Sequence, residues 1–411
     1  PVRTAAAAGS LPPSSPPLEP AMTDTPQTRG ATTRRFDLDA LRVGAFGLLI
    51  LYHVGMLYVT WGFHVKSDPA SPAIEPLMLL LNPWRLTLLF IISGAATRFM
   101  GERMATSALA RSRSLRLLLP LAFGMLVIVP PQSWAQVVES FGYAGSYLDF
   151  WPVYLTGGRP AWDIIMPTYN HLWFVIYLWL YTVLAAALWR FLPAMERGVA
   201  KALSGPGLWI WPIALPFAYI AFVGRIVPEN HIFFADPYAH LQYGSAFFLG
   251  LTIARNDAVW SRIEGARWRA LIAAILTYAA FIALRDAQTL PLKIAAGVAR
   301  ETFAWTMMAT LFGFARHHIS RGSPLLTMLT EAVFPFYIVH QTTIILVAHA
   351  LKGRHWPVAL EAATIIAATV ASCLAAYCIA RAIPPLRLVM GLKADRAPDL
   401  SRSDLHPAPQ S

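Results

Sequence analysis

Apolar residues in this sequence gather into long runs, separated by short segments that hold most of the Arg, Pro and Gly. LMLLLNPWRLTLLFIISG (77–94) and ALEAATIIAATVASCLAAYCIA (359–380) are typical. About 20 residues of helix, rising 1.5 Å each, cross the roughly 30 Å of hydrocarbon in a bilayer. Ten stretches approach that length, at about 41–61, 77–97, 115–131, 171–190, 207–225, 238–254, 268–285, 292–315, 326–350 and 358–380. None shows the period-two alternation of a membrane barrel, and a helix satisfies its own backbone in lipid. The pattern therefore predicts an all-α integral membrane protein, a polytopic bundle of about ten transmembrane helices.

Two polar tails flank this region. Residues 1–33 are rich in Pro, Ala, Ser and Thr without an apolar period, which predicts a disordered N-terminal tail. They lack the basic region, apolar core and cleavage site of a signal peptide. The natural start is expected at Met22 or upstream of Pro1. Residues 34–385 form the transmembrane domain, and 386–411 are read as a disordered cytoplasmic tail.

Charge places the ends. With the N-terminus in the cytoplasm, 23 of the 33 Lys and Arg residues fall in inside segments, 7 outside and 3 within spans. Cytoplasmic loops accumulate Lys and Arg, so both termini are expected inside. The net charge of +11 does not form one basic patch, which argues against nucleic acid as a partner. Composition agrees: 56% hydrophobic, 13% charged and a mean hydropathy of +0.50 are far from a soluble domain. Cys373 and Cys378 share one apolar run about 140° apart around a helix, unsuited to a disulfide or a metal site. No phosphate loop, nucleophile elbow or zinc motif occurs.

Ionisable groups inside spans cost several kcal/mol and generally mark a pathway or site. DLDALRVGAFGLLILYHVGMLYVTWGF (37–63) holds Asp39, Arg42 and His53. Eleven steps of about 100° return His53 to within about 20° of Arg42, and Asp39 lies within about 60° of both. The same steps cover about 16 Å, making a polar track with Arg42 near the inner surface and His53 toward the outside. Arg85 lies too deep to snorkel and needs an anionic ligand or a carboxylate such as Glu301, whose other candidate partner is Arg300. His171 opens the fourth span on the outer side, and His340 lies within the ninth. Plainer readings stand beside these: Arg42 as a positive-inside anchor, His53 and His340 as helix-packing residues, and Arg85 with Glu301 as a structural pair. The aromatic-rich segment 132–170 is expected to lie along the outer surface.

LDALRVGAFGLLILYH, with ten residues between Arg42 and His53, resembles the first span of the membrane-bound acyltransferase-3 family. WRLTLLFIISGAATRF resembles its second span with the ISG motif, NHLWFVIYLWLY its HLWF segment, and FPFYIVHQTTIILV its late Tyr-x-x-His segment. The resemblance covers residues 36 to about 385, and within the family it is nearest in character to the glucans biosynthesis protein C-like subgroup. It implies a multi-pass enzyme of the bacterial inner membrane that moves an acetyl or succinyl group from cytoplasmic acyl-CoA to a hydroxyl of an extracytoplasmic carbohydrate. Acyl-CoA is then a donor substrate rather than a resident cofactor, and no metal is needed. A fused hydrolase-like domain is not expected after the last span, and envelope-polysaccharide assembly proteins are candidate partners.

Physical chemistry suggests roles consistent with that implication. His53 suits the base that activates an acceptor hydroxyl, or a transient acyl carrier. Arg42 suits a CoA phosphate, and Arg85 a developing oxyanion or the carboxylate of a succinyl donor. Asp39, His171, Glu301 and His340 complete the candidate binding set. The competing reading is a transporter or flippase using the Arg and His track as a solute or proton pathway, although no inverted repeat is visible. A third is a non-catalytic assembly component.

Overall fold

The computed structural model describes residue 2, residues 34–68 and residues 70–392. The predicted tail 1–33, apart from residue 2, and residues 393–411 of the predicted tail 386–411 lie outside the described residues. The chain divides into Pro1–Arg35 and Phe36–Ser411, and the architecture below is that of the second unit.

Among the described residues there is no strand. Fifteen helices follow in order: α1 (Phe36–Gly55), α2 (Glu75–Gly101), α3 (Thr106–Phe123), α4 (Pro130–Phe141), α5 (Tyr147–Leu155), α6 (Trp173–Ala187), α7 (Leu192–Ala202) and α8 (Gly207–Ala218). They continue as α9 (Pro237–Ile253), α10 (Asp257–Gly265), α11 (Arg267–Leu284), α12 (Leu290–His318), α13 (Pro324–Leu351), α14 (Val358–Ala382) and α15 (Pro384–Val389). Six helices are long and apolar enough to cross a membrane, or up to eight if each of two bent pairs counts as one span. Those pairs bend by 40° at residues 128–130 and by 104° at 202–207. Of the ten apolar stretches, the two beyond this count fall on α9, of 17 residues, and α12, which carries Arg300 and Glu301. Ordered packing continues past residue 385, through α15 to buried Met390 and Leu392.

Start signals explain several boundaries. Ser323 accepts from Leu326 N at 3.0 Å with Pro324 in the first turn of α13, and Asp236 does the same for Ala239 N at 2.8 Å before Pro237 of α9. The first span corrects the prediction. Residues 56–61 are apolar and were expected to continue the helix to 61, but α1 ends at Gly55. Lys66 turns the chain there, donating Nζ to the carbonyls of Met56 (2.7 Å), Val59 and Trp61 (2.9 Å). Burial pushes its ammonium below the ordinary lysine value, so the carbonyls take over the role of water. Lys66→Met is expected to destabilise the fold by about 2 kcal/mol by stranding these acceptors, read as a lower thermal midpoint in detergent.

α1 is central. It packs against α13, α12, α2 and α14, while α2 runs along α9, α11 along α12, and α3 along α6. α11 shows the opposite environment: Trp268, Ile272, Ile275 and Leu276 are exposed at helical spacing, an apolar stripe suited to lipid. The ISG glycine has a packing role. A Cβ on Gly94 would collide with the carbonyl oxygen of Phe247 and lie 2.8 Å from Leu251 N, and one on Gly250 would collide with the Ile91 carbonyl. Small residues thus let α2 and α9 touch backbone to backbone. Gly94→Ala should cost about 3 kcal/mol of stability, measured by unfolding in a mixed-detergent titration.

Candidate active site

His53 occupies the last turn of α1, and its ring meets His340 of α13, with Nδ1 of His53 2.9 Å from Nε2 of His340. The two rings lie 11° from parallel. The tautomers follow from the next bond. His340 Nδ1 lies 2.8 Å from the Tyr337 carbonyl, which can only accept, so Nδ1 carries the proton. With both imidazoles neutral, His340 Nε2 then accepts from His53 Nδ1–H, and the lone pair of His53 stands at Nε2. This is the geometry of an oriented base or nucleophile, with a neutral imidazole and a carbonyl where many such sites use a carboxylate. Phe63 lies against the His53 ring at 6.2 Å.

His340 is wholly buried, as is Glu301. His171 is also buried, its Nε2 donating to the Tyr337 and Ile338 carbonyls at 3.1 Å each, and its ring stands 5.1 Å from that of His340 at 90°. The Tyr337 hydroxyl returns a bond to the His171 carbonyl. The HLWF and Tyr-x-x-His segments are therefore interlocked. Gln132, absent from the sequence-based candidates, bonds Thr342 at 2.6 Å, Gln341 at 3.1 Å and Asn170 at 3.3 Å and completes this support. His64 also went unnoticed in the sequence. Its Nδ1 lies 2.7 Å from Gln136 Oε1, burial pushes it below the ordinary imidazole value, and it is an electrostatic neighbour of His53 and His171.

Arg85 lies 2% exposed in α2, with its guanidinium 3.9 Å from the ring centre of Tyr52, the residue before His53. Its Nε and Nη1 have no hydrogen-bond partner. The pairing with Glu301 does not form, because Glu301 is bonded to its own neighbour Arg300. Arg85 acts electrostatically on both His53 and His340. A buried cation with open donors beside an oriented imidazole is a site for negative charge.

Arg42 lies 11 residues before His53, with Nη2 3.4 Å from Asp39 Oδ1 and 3.5 Å from the Thr330 carbonyl. Arg113 and Arg116 of α3 join it: Arg113 feels the charges of both Arg42 and Arg116, and its Nε is buried without a partner. The sequence counted these two only as loop charges, although their i, i+3 spacing on a helix puts them on one face. One end of the bundle is thus basic around Arg42, and the other gathers histidine and aromatic side chains around His53.

The acyltransferase-domain family model matches residues 35–381. Among curated proteins, glucans biosynthesis protein C of Salmonella gallinarum (strain 287/91 / NCTC 13346) is 24% identical over 167 residues, 40% of this chain and 41% of that protein. Glucans biosynthesis protein C of Salmonella schwarzengrund (strain CVM19633) is 24% identical over 202 residues, 47% and 50%. That of Escherichia coli (strain K12 / DH10B) is 26% identical over 160 residues, 38% and 39%. The chain thus spans half or less of the length of these relatives. No solved structure matches. With the family model covering nearly all of the helical unit, and its apolar helices fitting a multi-pass membrane protein, the chain belongs to the acyltransferase-3 family.

Proposed function

We propose that the protein is an O-acyltransferase of the bacterial inner membrane, with ten spans and both termini cytoplasmic. It moves an acyl group from acyl-CoA at the basic end to a hydroxyl of an extracytoplasmic carbohydrate at the histidine end. The observation that carries this reading is the fixed chain Tyr337 carbonyl, His340, His53, which leaves the lone pair of His53 at Nε2, with Arg85 and its open donors as an electrostatic neighbour.

In the direct form of the reaction, His53 Nε2 removes the acceptor's hydroxyl proton as the oxygen attacks the thioester carbonyl. The C–O bond forms, the C–S bond breaks, and the departing CoA sulfur takes up a proton. His340 stabilises the transient His53 imidazolium by accepting from Nδ1–H, acting as a positioning residue. Arg42, with Arg113 and Arg116, holds the CoA phosphates, for which a guanidinium is the natural partner. About 16 Å of helix rise separates Arg42 from His53, a span suited to the pantetheine arm. Arg85 meets the oxyanion or a carboxylate at the far end of the acyl group.

The glucan in the relatives' names supplies the first acceptor to try. Proteoliposomes holding the purified protein receive radiolabelled acetyl-CoA or succinyl-CoA on the Arg42 side and glucan oligosaccharide on the other. Label in the sugar establishes the reaction and names the donor. No label from either donor, with acyl-CoA binding intact, rejects the reading.

A further inference from the structure

A carboxylate and imidazole pair, outside the chemistry above, stands in residues 224–236 between α8 and α9. His231 adopts φ +58°, a left-handed conformation that a residue with a side chain rarely occupies. Several bonds hold it there. One oxygen of Asp236 accepts from Asn230 N at 2.8 Å and His231 N at 2.6 Å, and the Tyr169 hydroxyl donates to the His231 carbonyl. Capping α9 requires only the other oxygen of Asp236, so the strained turn serves something besides the cap.

What the turn achieves is the placement of one ring. The His231 imidazole lies face to face with Trp173 of the HLWF segment, centroids 4.0 Å apart and 26° from parallel. Its Nε2 is 2.8 Å from Glu229 Oε1, which also accepts from the Tyr243 hydroxyl at 2.6 Å. Burial pushes the Glu229 carboxyl up, but its bonds to His231 and Tyr243 and the charge of Arg300 outweigh this and hold it below the ordinary carboxylate value. Glu229 thus stays ionised at neutral pH and fixes the proton on Nε2. Nδ1 belongs to a side chain 36% exposed and takes no hydrogen bond among the described residues. Tyr243 is an electrostatic neighbour of Arg85, and Glu229 of Tyr52, so the pair lies near the candidate active site.

We propose that Glu229 and His231, seated on Trp173, form the acceptor subsite, in which His231 Nδ1 shares a hydrogen bond with a carbohydrate hydroxyl. The inference rests on the acyltransferase reading and adds the residues that select the acceptor. The ring, stacked on Trp173 and anchored by Glu229, favours a ligand that places a hydroxyl at Nδ1.

The test uses the full chain in lipid nanodiscs with acyl-CoA and glucan oligosaccharide varied independently. His231→Gly suits the φ of this position and so removes the ring without straining the fold; Glu229→Gln leaves the ring but loses its anionic anchor. The expected result is an acceptor KM raised tenfold or more in both variants, with kcat and the acyl-CoA KM within twofold of wild type. Acceptor KM unchanged in His231→Gly, or a rise confined to the acyl-CoA KM, overturns the subsite. Glucan binding by calorimetry without donor separates this from failure of the parent reading. If wild type binds glucan but transfers nothing, a tenfold weaker Kd in His231→Gly still supports the subsite and an unchanged Kd overturns it. If wild type neither transfers nor binds, the subsite falls with the reaction.

Discussion

His53→Ala is expected to lower acyl transfer by about a thousandfold or more while leaving a folded, membrane-inserted protein. General base catalysis alone contributes about 10²- to 10⁴-fold, and a covalent carrier role makes the loss larger. Several features focus the effect on this residue. His53 holds the outward-facing lone pair of the histidine pair, because the Tyr337 carbonyl fixes the proton on His340 Nδ1 and so turns His340 Nε2 toward His53. Structurally, His53 gives up one hydrogen bond and a ring contact with Phe63, worth about 1–2 kcal/mol together. His340→Gln offers the control: losing orientation but not the base, it should reduce kcat by a smaller factor with KM for the donor unchanged, measured by initial rates in detergent.

Arg85→Met should act in two directions, raising the thermal midpoint by several degrees while reducing kcat/KM about a hundredfold or more. A buried charge with open donors costs several kcal/mol, and Arg85 leaves Nε and Nη1 unpaired beside Tyr52. Methionine fills a similar volume without that penalty. Such a gain in stability at the expense of activity is the usual mark of a strained functional group. The activity loss reflects removal of a donor aimed at developing charge, typically worth 10²- to 10³-fold. If Arg85 binds the carboxylate of a succinyl group, the loss is greater for succinyl-CoA than for acetyl-CoA; if it serves the oxyanion, both fall alike. Thermal unfolding followed by intrinsic fluorescence, with rates on both donors, reads the two directions together.

Much of the architecture was legible because hydrophobic length is a strong signal in a membrane protein. Every apolar stretch falls largely on helix, and short motifs located α1, α2, α6 and α13. The extent of α1 was not legible, because Lys66 arrests it from ten residues beyond Met56 through side-chain bonds that hydropathy does not record. The proximity of His53 and His340 lay within reach only as a set of separately costly residues; 287 positions separate them, and no local pattern pairs them. Glu301 shows the limit from the other side. Two arginines were candidate partners, and the choice of Arg300 depends on rotamers that leave Arg85 open. His64 and the Glu229 and His231 pair escaped notice because polar residues in connecting segments carry no transfer penalty to flag them, and Gln132 because the bent α4 reads as the start of a loop.

The central claim is that His53 performs the chemistry rather than packing two helices together. Its most direct test is single-turnover transfer of radiolabelled acyl group to glucan, with wild type and His53→Ala reconstituted at equal density and acyl-CoA binding measured on the same samples. The account predicts label in the sugar for wild type, a loss of about a thousandfold in the variant, and donor affinity unchanged. Equal transfer by His53→Ala and wild type would contradict it.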